Sequence, residues 1–128
     1  MLSRVGNLIY TAGHLPVTPE GTIITGRVGS ELTTEDGYDA ARSVGLNIIA
    51  TLQAELGDLS RIEKFVKLTA FVNCVESFQA QPKVVNGISD LLVDVFGSAG
   101  RHARSAVGVN ALPLNVPVEV EAIVLIKD

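Results

Sequence analysis

The sequence predicts an α+β fold in which one mixed sheet carries two helices on a single face, in the order β-β-α-β-α-β-β. Three observations predict it. Apolar residues recur at helical spacing over two stretches, 33–56 and 82–96. They alternate with a period of two over 62–73, 103–110 and 118–127. Glycine, proline and small polar residues separate these stretches at positions that stop or start elements.

Residues 7–13, Asn7-Leu8-Ile9-Tyr10-Thr11-Ala12-Gly13, are β-branched and aromatic and read as the first strand. Thr18-Pro19-Glu20-Gly21 is a turn signal, and 22–28 then reads as the second strand of a hairpin. Thr33 opens a helix, with Asp36 completing a variant of the capping box. Tyr38, Ala41, Gly45, Ile48, Ile49, Leu52 and Leu56 define its buried stripe, and Gly57 ends it. In 62–73, Val66, Leu68, Ala70 and Val72 alternate with Phe65, Lys67, Thr69 and Phe71. Pro82 starts the second helix, whose apolar face carries Val85, Ile88, Leu91, Leu92, Val95 and Phe96, and Gly97 stops it.

Both helices are amphipathic, so each buries one side, and the second face of the sheet meets water or another subunit. In 103–110, Ser105, Val107 and Val109 point one way and Arg104, Ala106, Gly108 and Asn110 the other. In 118–127, Val118, Val120, Ala122, Val124 and Ile126 read as the core side, with Glu119, Glu121, Ile123 and Leu125 opposite. Taking Arg104 to share the helix-free face with Glu119 and Glu121, that face is too apolar for water alone and too charged for a core. A subunit interface containing a polar pocket explains both properties.

The 128 residues suffice for one domain, 1–128. Apolar residues make up 47% and charged ones 19%, a balance that favours burial against a partner. The net charge of −4 argues against a nucleic-acid partner. One cysteine, Cys74, excludes an intrachain disulfide and fits a reducing cytoplasm. No signal-peptide pattern opens the chain, and no apolar run approaches the ~20 residues that would cross a bilayer. Neither His14 nor His102 has ligand-like neighbours, so no metal site is expected, and no nucleotide-binding or nucleophile motif is present.

The residue with most chemical content is Arg104. A guanidinium in a strand is costly to bury unpaired, and its planar fork matches a carboxylate. From the residues alone, a structural ion pair to Glu119 or Glu121 is the simpler reading. Glu121 could equally serve as a pocket acid.

Ala103-Arg104-Ser105, Leu112-Pro113 and Val118-Glu119-Val120-Glu121-Ala122-Ile123 together resemble the C-terminal signature of the RidA/YjgF family. Gly6 to Pro16, Val66-Lys67-Leu68-Thr69-Ala70-Phe71-Val72 and Val85-Asn86 are similar to the family's other segments, in family order. The Gly100-Arg101-His102-Ala103-Arg104 stretch suggests a divergent branch. The resemblance implies a chorismate-mutase-like fold and a homotrimer with clefts between neighbours. It implies cofactor-free hydrolysis of reactive 2-imino or enamino acids to 2-keto acids and ammonia. Arg104 would grip the substrate carboxylate and Glu119 would activate water, while Gly13, Asn86 and the backbone of Ala106 would line the cleft. His14, on the loop after the first strand, could also contact the ligand. Two alternatives stay open: a non-catalytic protein binding small carboxylates, and an endoribonuclease, an activity with which some relatives are credited.

Overall fold

A computed structural model describes all residues, 1–128. Five strands form one sheet: β1 (Leu2–Val5), β2 (Leu8–Thr11), β3 (Ile62–Asn73), β4 (Ala103–Val109) and β5 (Val118–Ile126). Two helices, α1 (Thr34–Leu56) and α2 (Gln81–Phe96), interrupt them in the predicted order. The strands lie side by side as β1-β2-β5-β3-β4. Only β3 and β4 run parallel, joined by α2; the other neighbours are antiparallel, so the sheet is mixed.

Helix α1 begins as its sequence indicates. Thr33 accepts from the Asp36 amide while the Asp36 carboxylate accepts from the Thr33 amide, so the box satisfies two donors that the first turn leaves free. The two helices approach closely through small residues. A Cβ on Gly87 would overlap the Tyr38 carbonyl oxygen, and Gly45 lies against Leu91 and Ile88. Leu68, Ala70 and Val72 from β3 meet Val118, Val120, Ala122, Val124 and Ile126 from β5 and the apolar stripes of both helices in one core. The sheet's other face has no helix over it.

Four expectations change. The N-terminal hairpin is β1 with β2, closed by Gly6-Asn7 with Gly6 at φ 58°, and not 7–13 with 22–28. Residues 18–21 do turn, with the Gly21 amide on the Thr18 carbonyl. Across that turn only Val17 and Ile23 bridge, with the Ile24 amide on the Pro16 carbonyl, and 22–28 do not extend this into a strand, because the next amides go elsewhere: Gly26 to Asn115, Val28 to Asn73. In β3 a register shift between Phe65 and Lys67 turns Val66 out to solvent and buries Phe65 against the Phe96 ring at 5.2 Å. In α2, Val95 is exposed rather than part of the buried stripe.

The fourth change concerns the site. Arg104 stands opposite Leu68 in the register, and Leu68 opposite the buried Ala122. Paired residues share a face. Arg104, Ala106 and Gly108 therefore face the helices, while Ser105 and Val107 share the open face with Glu121 and Glu119. The expected placement of Arg104 beside Glu119 is reversed.

Candidate functional site

The sheet divides the predicted residues into two groups. The first surrounds Arg104, half-buried on the edge strand β4. Its Nη1 donates to Ser89 Oγ at 2.9 Å and its Nη2 to the Pro82 carbonyl at 3.2 Å. Both acceptors sit on α2 and are neutral, so the guanidinium is held without an acid, and the ion pair with Glu119 or Glu121 is not formed. Asn86 lies between Pro82 and Ser89 at helical spacing, half-buried on the same stripe. Ala106 follows two residues after Arg104 and packs against the core.

The backbone of β4 adds to this group. The Val109 carbonyl accepts from Cys74, so it points inward to the sheet. Strand alternation then turns the N–H and C=O groups of Ala106 and Arg104 to the free edge. An edge with unpaired donors beside a fixed guanidinium suits a small anion.

His102 belongs here as well. It is half-buried, and Nε2 lies 2.9 Å from Ser89 Oγ while Nδ1 lies 2.6 Å from the Gly100 carbonyl. A carbonyl can only accept, so Nδ1 carries the proton and Nε2 accepts from the Ser89 hydroxyl. Burial, then the Gly100 carbonyl acting in the opposite sense, then the Arg104 charge set its pKa, which lies below the ordinary histidine value. Ser89, Asp90, Val93, Arg101, His102 and Arg104 line an open cleft of about 330 Å³. A larger cavity, about 600 Å³, opens at the other end of β4 beside Arg27, Cys74 and Gln81, and holds none of the predicted site residues.

The second group lies on the open face. Glu119, half-buried on β5, stands over Gly13, where any Cβ would overlap its carboxylate. Glycine at position 13 therefore makes room for the acid. Burial, and secondarily the Glu121 carboxylate, push the Glu119 pKa above the ordinary value. Phe71 and Val107 extend the same row toward the edge. Tyr10 pairs with Ile123 and Leu8 with Leu125 farther along this face.

His14 joins neither group. It bridges to Val120 on the core side, donates from Nδ1 to Ala12 and accepts at Nε2 from Thr51 on α1, each at 2.8 Å. The arrangement ties the loop after β2 to the helix layer.

Ser89 was absent from the sequence reading. Its signal was the spacing Pro82, Asn86, Ser89, one stripe of α2 rather than a motif. Asn73 was also unforeseen. It is buried, accepts from Arg27 Nε, and donates to Asn115 Oδ1 and to the Val116 carbonyl, which joins three loops. No three His, Cys, Asp or Glu side chains converge to hold a metal ion. No helix is long and apolar enough to cross a membrane.

Known proteins are similar to this chain in sequence and in fold. A protein from Trypanosoma cruzi, TCP17, is 47% identical over 93% of this chain and 75% of its own length. A 2-iminobutanoate/2-iminopropanoate deaminase from Dermatophagoides farinae is 30% identical over 97% of this chain and 82% of its own. The crystal structure of an Agrobacterium tumefaciens protein of unknown function superposes with a TM-score of 0.96, at 43% identity, over 99% of this chain and 82% of that one. The family model described as "YjgF/chorismate mutase-like, putative endoribonuclease" matches residues 1–124. With one mixed sheet under two helices and with that match over nearly its whole length, the chain belongs to the YjgF/chorismate mutase-like family.

Proposed function

We propose that the chain assembles into a homotrimer whose clefts hydrolyse small reactive 2-imino acids, with Arg104 of one copy facing Glu119 of its neighbour. One observation carries this reading. Arg104 and Glu119 occupy opposite sides of the sheet, so a single copy cannot apply both to one small molecule. A second copy whose open face covers the β4 edge of the first can do so. That open face suits burial: Tyr10 is 42% and Val107 45% exposed, with Leu8, Phe71, Ile123 and Leu125 half-buried around them. The trimeric count rests on the family resemblance.

The chemistry follows from the two groups. A protonated imine carbon is already electrophilic, so no covalent nucleophile is needed. The substrate carboxylate takes the remaining guanidinium donors of Arg104, which fixes the imine carbon in place. A water hydrogen-bonded to Glu119 attacks that carbon, and the glutamate accepts the proton as the C–O bond forms. The same proton, returned to nitrogen, makes ammonia the leaving group; as the C–N bond breaks, the new hydroxyl gives its proton to Glu119 and becomes the keto oxygen, and the glutamate passes that proton to the departing ammonia. The 2-keto acid and ammonia leave, with no net change in the protein. The raised pKa of Glu119 makes it a stronger base than an ordinary glutamate and suits this exchange.

The test is ammonia release from a dehydratase generating 2-iminobutanoate. The wild type should accelerate release, and Arg104→Ala should return it to background, a drop of roughly a hundredfold or more for loss of a positioning ion pair. Equal rates with both proteins reject the proposal. Binding of 2-oxobutanoate at Arg104 without any gain in ammonia would leave a carboxylate-binding protein. The net charge of −4 and the lack of a basic stripe give a ribonuclease reading no support here.

A further inference from the structure

We infer that His102 and Ser89 form a positioning relay that sets the guanidinium of Arg104 for its carboxylate ligand. The inference rests on the role proposed above for Arg104, and neither residue touches the reacting atoms.

The bonds run in one direction. The Gly100 carbonyl fixes the proton of His102 on Nδ1, at 2.6 Å. Nε2 is thereby a lone pair, and it takes the hydroxyl proton of Ser89 at 2.9 Å. With its proton directed at His102, Ser89 Oγ turns a lone pair to Arg104 Nη1, again at 2.9 Å. The Pro82 carbonyl holds Nη2. The plane of the guanidinium is therefore set by two oxygens on α2, and the orientation of one of them is set by the imidazole. A serine hydroxyl free to rotate would point its proton toward Arg104 in some of its rotamers, and those would repel the cation.

The relay is sensitive to the charge on His102. A protonated imidazole donates from both nitrogens, so Nε2–H would face Ser89 Oγ, and the hydroxyl would accept from two cations at once. The charged groups around the imidazole are Arg104 on β4, Arg101 just before it and Asp90 on α2. The two arginines oppose protonation and Asp90 favours it. Burial also keeps the ring neutral near physiological pH. Protonation also adds a positive charge behind Arg104, offset by Asp90. The lost orientation of Arg104 should outweigh that charge, so acidification should loosen the grip on an anion whose own carboxylate stays ionised throughout.

The experiment is calorimetric titration of the assembled protein with 2-oxobutanoate from about pH 8 to about pH 5, across the range in which histidine titrates. Ser89→Ala and His102→Ala should each weaken binding by about tenfold, the size expected for a lost bond to a charged group, while Ser89→Thr restores it. The wild type should lose affinity as the pH falls. In His102→Ala that loss should vanish, and any residual dependence should run the other way, as protonation of Glu119 removes a negative charge facing the anion. The 15N spectrum of His102 should show the neutral Nδ1–H tautomer. If Arg104→Ala abolishes binding but Ser89→Ala and His102→Ala bind as the wild type does, the relay is wrong and the carboxylate role stands. If Arg104→Ala binds as the wild type does, both fail. An Nε2–H tautomer in the wild type also overturns the relay.

Discussion

His14 shows how one side chain couples local structure to pH. It is neutral in the fold because burial outweighs the bond to Ala12, and its pKa lies below the ordinary 6.5. His102 is shifted the same way, first by burial. For both, the unfolded chain binds the proton more readily than the folded one. Their contribution is thus present above the ordinary value and is lost as the pH falls below 6.5 toward the lowered folded values. Tm should drop between about pH 7 and about pH 5, and His14→Gln should flatten part of that slope. An unchanged slope in the variant would remove His14 from the explanation. Glu119 has the opposite sign: its raised pKa means that stability is given up as the pH climbs above the ordinary 4.5. Glu119→Gln should then leave stability at neutral pH unchanged or higher, by about a few tenths of a kcal/mol for a group still partly open to solvent, while imine hydrolysis falls to background. A clear loss of stability would mean that the carboxylate makes a structural bond in the assembly. The sequence made Arg104 and Glu119 visible because their residue types match the family signature. It could not place Ser89, whose role depends on which stripe of α2 meets β4.

Among the elements, the helix pair depends most on small residues. Gly87 has the Tyr38 carbonyl where its Cβ would be, and backbone cannot move aside as a side chain tip can. Gly87→Ala should therefore lower stability by about 1–3 kcal/mol or more, read as the midpoint of urea unfolding. A midpoint equal to the wild type would mean that the helices separate at little cost. Elements that bury one side against this layer were legible in the sequence. α1, α2, β3 and β5 each carry a one-sided apolar pattern, and their bounds were read to within a residue or so. β1 carried no such pattern, since its four residues are half-buried or exposed and only Gly6-Asn7 marked the hairpin. β4 misled for a physical reason. Its valines, Val107 and Val109, looked like the core set, but they share the open face with Phe71 and Glu119, and the inward set is Arg104, Ala106 and Gly108. A sheet with two apolar faces, one for helices and one open to a partner, loses the contrast that alternation depends on.

For the whole molecule, the division of the site between two faces makes a prediction that a single-chain site does not share. On the proposed function, Arg104→Ala would remove the carboxylate clamp of a copy and leave its Glu119 intact, and Glu119→Gln would do the reverse. In a ring of three, each cleft would take Arg104 from one copy and Glu119 from the next. Either variant alone should be inactive. When the two are co-expressed in equal amounts and assemble at random, about a quarter of the clefts pair an intact Arg104 with an intact Glu119, so about a quarter of the wild-type rate should return. The measurement is ammonia release by the co-purified mixture, alongside sedimentation to establish three copies per particle. Two variants purified apart and mixed without subunit exchange should stay inactive, which separates complementation from partial activity in either one. If the co-expressed mixture is as inactive as its components, Arg104 and Glu119 do not act in a shared cleft, and their separation across the sheet has to be explained without catalysis.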